Sequence, residues 1–300
     1  MDIVERICEL QKQKNAVILA HYYQQPEVQD VADFVGDSFE LSRRAREVEQ
    51  EVIVFCGVHF MAESAKILNP EKTVLLPAKD AGCPMADMVT EEDVLNLRSQ
   101  YPDAAVVCYV NSSAEVKAVS DVCCTSSNAV KIVKALENKR IIFVPDSHLG
   151  HYVSLQVPEK EIILFDGYCI THKRVQVEDV HAVRNAMPNV DLLVHPECSP
   201  EIVRMADFVG STAQIINYAT KSESKRFIIG TEQGILHPLK TKNPEKEFYM
   251  LTSKLICGNM KKTKITDVLN ALENMTFEIT LEEEKRRDAL ASLDKMLEMA

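Results

Sequence analysis

Three hundred residues, 46% hydrophobic and 26% charged, form a chain long enough to bury roughly three quarters of its unfolded surface, without a signature of disorder. A formal charge of −11 excludes a nucleic-acid partner held through its phosphates, which requires a surplus of Lys and Arg. The start MDIVERICELQKQKN is charged and amphipathic rather than secretory, and no apolar run approaches the ~20 residues of a membrane span, so a cytoplasmic protein with no membrane partner is expected.

After an N-terminal helix, AVILA reads as a strand, PEVQDVAD as a short helix opened by Pro26, and DFVG as a short strand. SFELSRRAREVE continues as a helix from Ser38, VIVFCG as a central strand, HFMAESAKILN as a helix and TVLLPA as the last strand. Such alternation implies a small parallel sheet with helices on both faces. A capping box at Thr90 and Asp93 then opens a helix, and the pattern begins again. The segments Ala20 to Ser38, Cys108 to Ser126 and Val194 to Thr212 align almost without gaps. Counted from His21, Tyr109 and His195, an Asp follows at +12 (Asp33, Asp121, Asp207) and a hydroxyl at +17 (Ser38, Ser126, Thr212). An apolar run ends near +36, and a cysteine stands at +62, +60 and +62 (Cys83, Cys169, Cys257). The repeat predicts an α/β fold of three homologous αβα sandwich units with small parallel sheets, arranged with pseudo-threefold symmetry around a central cavity. The units span 1–103 with the N-terminal helix, 104–190, and 191–300 with the C-terminal helix. The tail LEEEKRRDALASLDKMLEMA is expected as an amphipathic helix opened by a capping box at Thr280 and Glu283 and packed beside the N-terminal helix.

Open parallel sheets hold ligands at the carboxyl ends of their strands. The zero position, the +17 hydroxyl and the cysteine all follow strand ends, so all three face one cavity. The +17 residues open helices, either as ordinary N-caps or as anion sites; their equal phase in three units favours anion sites, suited to a dicarboxylate and a phosphate. The pairs at zero and +2, His21 and Tyr23, Tyr109 and Asn111, His195 and Glu197, set six groups able to exchange protons at the strand mouths. Of nine cysteines, Cys8, Cys56 and Cys108 lie in apolar runs as core filler, at most one of Cys123 and Cys124 points toward a site, and Cys198 at +3 is out of phase and packs. One thiol per unit suits a [4Fe-4S] cluster with an open iron acting as Lewis acid; zinc, which usually takes close cysteine pairs, and an unmetallated site remain as alternatives. His172 is either a partner of the cluster sulfur or a surface residue. The Lys261, Lys262, Lys264 cluster reads as a solvated face, and His59, His148, His151, His181 and His237 carry no pattern.

The segments AHYYQ, ADFVGDS, AGCPMA, YVNSSAE, TSSNAV, GYCITH, HPE, GST and CGNMK, in this order over nearly the whole chain, resemble those of the quinolinate synthases. The resemblance implies a [4Fe-4S] cluster on Cys83, Cys169 and Cys257 and condensation of iminoaspartate (iminosuccinate) with dihydroxyacetone phosphate. That reaction, of a condensing and dehydrating transferase, releases phosphate and water and gives quinolinate for NAD biosynthesis. The substrate site so implied comprises His21, Ser38, Tyr109, Val110, Asn111, Ser126, His195, Pro196, Glu197 and Thr212. Tyr109 and Glu197 would transfer protons, His21 and His195 orient carboxylates or move protons, and Tyr23 act as a lid or an acid–base group. A functional link to an iminoaspartate-producing oxidase or dehydrogenase follows. Another [4Fe-4S] hydro-lyase acting on a small dicarboxylate, or a non-enzymatic repeat module, is the alternative. The sequence departs from the family pattern at Tyr22 (usually Asn), Ser127 (Ala) and Ala213 (Gly), with Tyr22 at +1 expected to point away from the site.

Overall fold

Residues 2–300 are described by a computed structural model. Strands β1 (Ala16–His21), β2 (Phe34–Gly36), β3 (Val52–Cys56) and β4 (Thr73–Leu75) form a parallel sheet in the order β2-β1-β3-β4. The order recurs in β5 (Ala105–Tyr109), β6 (Val122–Cys124), β7 (Arg140–Val144) and β8 (Glu161–Leu164). It recurs again in β9 (Asp191–Val194), β10 (Phe208–Val209), β11 (Arg226–Gly230) and β12 (Glu247–Met250). The fold is therefore α/β with three small parallel sheets, as expected. Register repeats too, with Leu19 opposite Phe34, Val107 opposite Val122 and Leu193 opposite Phe208. The central strands are runs of apolar, largely β-branched residues buried on both faces, the pattern of helix-covered parallel strands.

The +12 aspartates explain why register repeats. Asp33 accepts the Ile18 N–H at 2.7 Å, Asp121 that of Val106 at 2.7 Å and Asp207 that of Leu192 at 2.7 Å. The N–H of each Asp returns a bond to the carbonyl of the same residue at 2.9–3.0 Å. Each carboxylate thus supplies one extra rung of ladder before the second strand begins. A residue of the helix before each unit's first strand holds it in place: Gln11 at 2.7 Å, Arg98 at 2.8 Å and Arg184 at 2.7 Å.

Three expectations are corrected. The helix caps lie at +16 rather than +17: Asp37 caps the helix Ser38–Glu47 and Ser211 caps Thr212–Lys221. In the second unit Thr125 and Asn128 close a turn, at 2.7 Å from Thr125 N–H to Asn128 Oδ1, and the helix Ala129–Ala135 starts only after Ser126. Ser38, Ser126 and Thr212 are therefore not spent on capping. The helix Glu283–Met299 packs on the helix Ala114–Ala118, β6 and the helix His59–Leu68, and the place beside Ile3–Lys14 is taken by Ile265–Asn274, linked by Arg6 to Glu273 at 3.2 Å. Its N-cap is Glu282, so the box at Thr280 and Glu283 does not form, whereas the one at Thr90 and Asp93 does. Between these helices Phe277 and Ile279 bond the edge of β4, at 3.1 Å to the Leu76 N–H and 2.8 Å to the Val74 carbonyl.

One apolar cluster runs through all three sheets, from Val17 through Val107 to Phe227. Cys56, Cys108, Cys123, Cys124 and Cys198 are buried in the core, but Cys8 is exposed because it turns away from the face of its helix that buries Ile7 and Leu10. Among the described residues no helix is long and apolar enough to cross a membrane.

Replacing Asp207 with Ala removes a carboxylate-accepted backbone bond and its tie to Arg184. We expect a stability loss of about 2 kcal/mol in chemical denaturation, and a similar loss for Asp121→Ala.

Candidate active site

A cavity of about 240 Å³ is lined by residues from all three sheets. Every sheet contributes its zero position, its +2 residue, its +17 hydroxyl and its late cysteine to this wall. Val110 and Pro196, at +1, are buried and their side chains are not among the lining; the Val110 N–H bonds the Cys124 carbonyl at 2.8 Å. Tyr22 likewise turns away, with Lys242 6.0 Å from its ring. Gly234 of the third unit lies against this mouth, where a Cβ would come within 2.7 Å of the Tyr22 carbonyl and the Tyr23 Cα.

The two zero-position histidines adopt one turn. His21 Nδ1 accepts the Tyr23 N–H at 3.1 Å, and His195 Nδ1 accepts the Glu197 N–H at 3.3 Å. Both neutral rings therefore carry their proton on Nε2, which in His195 lies 3.2 Å from Ser126 Oγ. Burial lowers the His21 pKa to about 3 and, against the pull of Glu197, that of His195 to about 4. Near neutral pH each is an uncharged donor.

Glu197 is buried and carries the site's central charge. Burial alone would raise its pKa, but His195 and His172 beside it and bonds from His172 and Tyr109 hold it well below the usual carboxylate range. Tyr109 Oη donates to Oε1 at 2.7 Å, and His172 Nδ1 stands 2.7 Å from Oε2. His172 stacks on His195 with ring centres 4.9 Å apart and has Nδ1 3.2 Å from Cys169 Sγ. Of its two sequence readings the interior one holds, because the short helix Ile170–Lys173 folds the ring back over the cysteine.

Cys83, Cys169 and Cys257 are free, part-buried and all on the cavity wall. Burial raises the Cys83 thiol to about 12 and pushes Cys169 and Cys257 up as well, so without a metal they hold their protons. Three sulfur donors from three units suit a soft metal centre. Asn111 Oδ1, in the same wall, is buried and finds no hydrogen-bond partner among the described residues, which leaves an acceptor free for a bound group. Cys169, His172 and Glu197 also form a group whose donor atoms lie within 4.8 Å of one another and could hold a metal ion.

Three features escaped the sequence. Glu232 is fully buried in the wall, accepts the Cys257 N–H at 3.2 Å and pairs with Lys261 at 3.0 Å. Lys261 also donates to the Tyr23 carbonyl. This overturns the solvated reading for Lys261, since a buried carboxylate draws a counter-charge inward, whereas Lys264 stays exposed. The third feature joins all units: Ser127 Oγ lies 2.7 Å from Asp37 Oδ2 and 2.9 Å from Ser211 Oγ, and Ser211 lies 3.2 Å from the same Asp37 oxygen. An alanine at 127 would lack two of these bonds.

Residues 5–298 match the model of the quinolinate synthetase A protein family. The chain belongs to this family. It is 59% identical over 298 residues to the quinolinate synthase of Caldicellulosiruptor saccharolyticus, covering 99% of this chain and 98% of that one. It is 55% identical over 298 residues to that of Alkaliphilus metalliredigens, at 99% and 98% coverage, and 53% identical over 299 residues to that of Clostridioides difficile, at 100% and 98%. The matched span contains every lining residue described above.

The buried histidines set an acid limit. Below pH ~6.5 the unfolded chain protonates both rings while the folded chain does not until about 3 to 4, so stability is present above pH ~6.5 and falls as pH drops through that window. Denaturation midpoints should fall between pH about 6.5 and about 4, and His195→Asn should flatten part of that fall.

Proposed function

We propose that the protein is a quinolinate synthase of the cytoplasm, condensing iminoaspartate with dihydroxyacetone phosphate and releasing phosphate and water in NAD biosynthesis. Membership of the quinolinate synthetase A family supports this reading, and one observation carries it: three thiols and three sets of polar groups, matched in phase, share one cavity. The units 1–103, 104–190 and 191–300 are the segments proposed to bring them there. Cys83, Cys169 and Cys257 would hold a [4Fe-4S] cluster. When bound, that cluster supplies a Lewis acid that polarises a substrate oxygen.

This chain's own groups divide the remaining work. Ionised Glu197 accepts a substrate proton, and the Tyr109 hydroxyl, 2.7 Å away, donates one in turn. The neutral Nε2–H groups of His21 and His195 direct donors at substrate carboxylates without adding charge. Ser38 and Thr212 stand at the first positions of ten-residue helices, where backbone N–H groups and the helix dipole favour anions. Ser126 adds its hydroxyl from a turn. Tyr23 serves acid–base chemistry from the wall. An oxidase or dehydrogenase that makes iminoaspartate is the expected upstream partner.

Anaerobic purification with iron and sulfide counts, then assay for quinolinate from the two substrates, tests the reading. Cys83→Ala is expected to lose cluster and activity together, and a fully active, cluster-free variant would overturn it. Activity independent of dihydroxyacetone phosphate would favour a hydro-lyase instead. Glu197→Gln, which keeps shape but not charge, is expected to lower kcat by about 10²- to 10⁴-fold.

A further inference from the structure

The cavity opens to solvent beside its thiols. Of the residues that line it, Pro84, Ile170, Arg174, Ile256 and Gly258 are exposed, and all but Arg174 adjoin Cys83, Cys169 or Cys257 in the chain. Arg174 follows the short helix Ile170–Lys173, where its N–H bonds the His172 carbonyl, and the next residue, Val175, is buried in the apolar cluster of β9 and β11. The backbone is anchored while the side chain stays at the mouth. Gln176 bonds the Arg174 carbonyl at 3.4 Å, whereas the guanidinium, among the described residues, forms no ion pair and no hydrogen bond. Lys173 beside it is engaged, with Nζ 3.2 Å from the centre of the Tyr168 ring, and is not part of the wall.

The charges around the cavity make that free cation informative. The wall carries the carboxylic residues Asp37, Glu197 and Glu232, and Lys261 is paired with Glu232 from outside it. His21 and His195 are uncharged near neutral pH. Arg174 is therefore the one Lys or Arg side chain on the cavity surface among the described residues. A chain of net charge −11 repels a dianion at long range, and an unpaired guanidinium at the mouth reverses that field locally. Its planar fork of N–H donors also matches phosphate oxygens two at a time.

We propose that Arg174 is a receiving site for a phosphate monoester, binding the phosphate of dihydroxyacetone phosphate at the cavity mouth before it passes to the inner anion positions. The phosphate released in turnover leaves past the same group, so inorganic phosphate is a ligand of the site as well. The role in turnover rests on the site being the quinolinate-forming centre. Phosphate binding at the mouth does not.

Two variants separate charge from shape. Arg174→Gln removes the charge and Arg174→Lys keeps it; the guanidinium bonds nothing in the protein, so both are expected to fold as wild type. In the anaerobic holoenzyme at low salt, the Gln variant is expected to raise KM for dihydroxyacetone phosphate about 10-fold with kcat near wild type, and the Lys variant to recover most of that loss. Raising the ionic strength from ~0.01 M to ~0.15 M shortens the Debye length from about 30 Å to about 8 Å. That change is expected to raise KM in the wild type and the Lys variant and to move it little in the Gln variant. A wild-type KM in the Gln variant, a loss confined to kcat, or equal effects in both variants overturns the proposal. Calorimetric titration of each holoenzyme with inorganic phosphate is expected to show weaker binding in the Gln variant, and unchanged affinity overturns it. Iron and sulfide counts are expected to be equal in all three proteins; their loss in the Gln variant would assign Arg174 to the metal centre and overturn the receiving role. If the wild-type enzyme makes no quinolinate, the functional reading fails while the phosphate titration still judges Arg174.

Discussion

Glu197 is buried to within 4% of its surface, and taking a carboxylate out of water costs several kcal/mol unless donors replace the lost hydration. Those donors, Tyr109 and His172, come from the second unit, while Glu197 comes from the third. Compensating one charge therefore docks two units at the cavity. The pair of Glu232 and Lys261 does the same for the third unit and the first, since Lys261 also reaches the Tyr23 carbonyl. Asp37, Ser127 and Ser211 close the circuit among all three. The polar groups of the cavity wall thus have partners across unit boundaries as well as within them.

The repeat separates architecture from chemistry by phase. At +12 the aspartate extends the ladder at the far end of the strands; at +16 a cap turns the chain into the next helix or turn; at +17 a hydroxyl is left facing the cavity. These duties are alike in all three units. The zero positions are not: two neutral histidines flank a tyrosine that donates to Glu197. A repeated frame thus carries a site whose three zero positions differ.

The succession of strands and helices, the recurrence of the aspartates and the shared wall were legible because period and phase are local and survive in one sequence. The caps shifted by one because Asp37–Ser38, Thr125–Ser126 and Ser211–Thr212 each offer two capping residues in a row, and composition does not choose between them. The tail helix showed an apolar face, but amphipathicity says that a face is buried and not against what. Lys261 read as solvent-facing because its partner Glu232 lies 29 residues away. His172 stayed undecided for the same reason: its meaning depends on Glu197, which is not its sequence neighbour.

The segment Phe277–Ile279 seals the open edge of β4, the helix Ile265–Asn274 before it packs on the first unit, and the helix Glu283–Met299 after it bridges the second unit and the first. During synthesis that edge leaves the ribosome long before its cover, with the whole second and third units made in between. An unpaired strand edge is a template for mispairing. The first unit to be translated is therefore the last to be completed, and a chain interrupted anywhere before Phe277 exposes an adhesive strand that no later unit can hide.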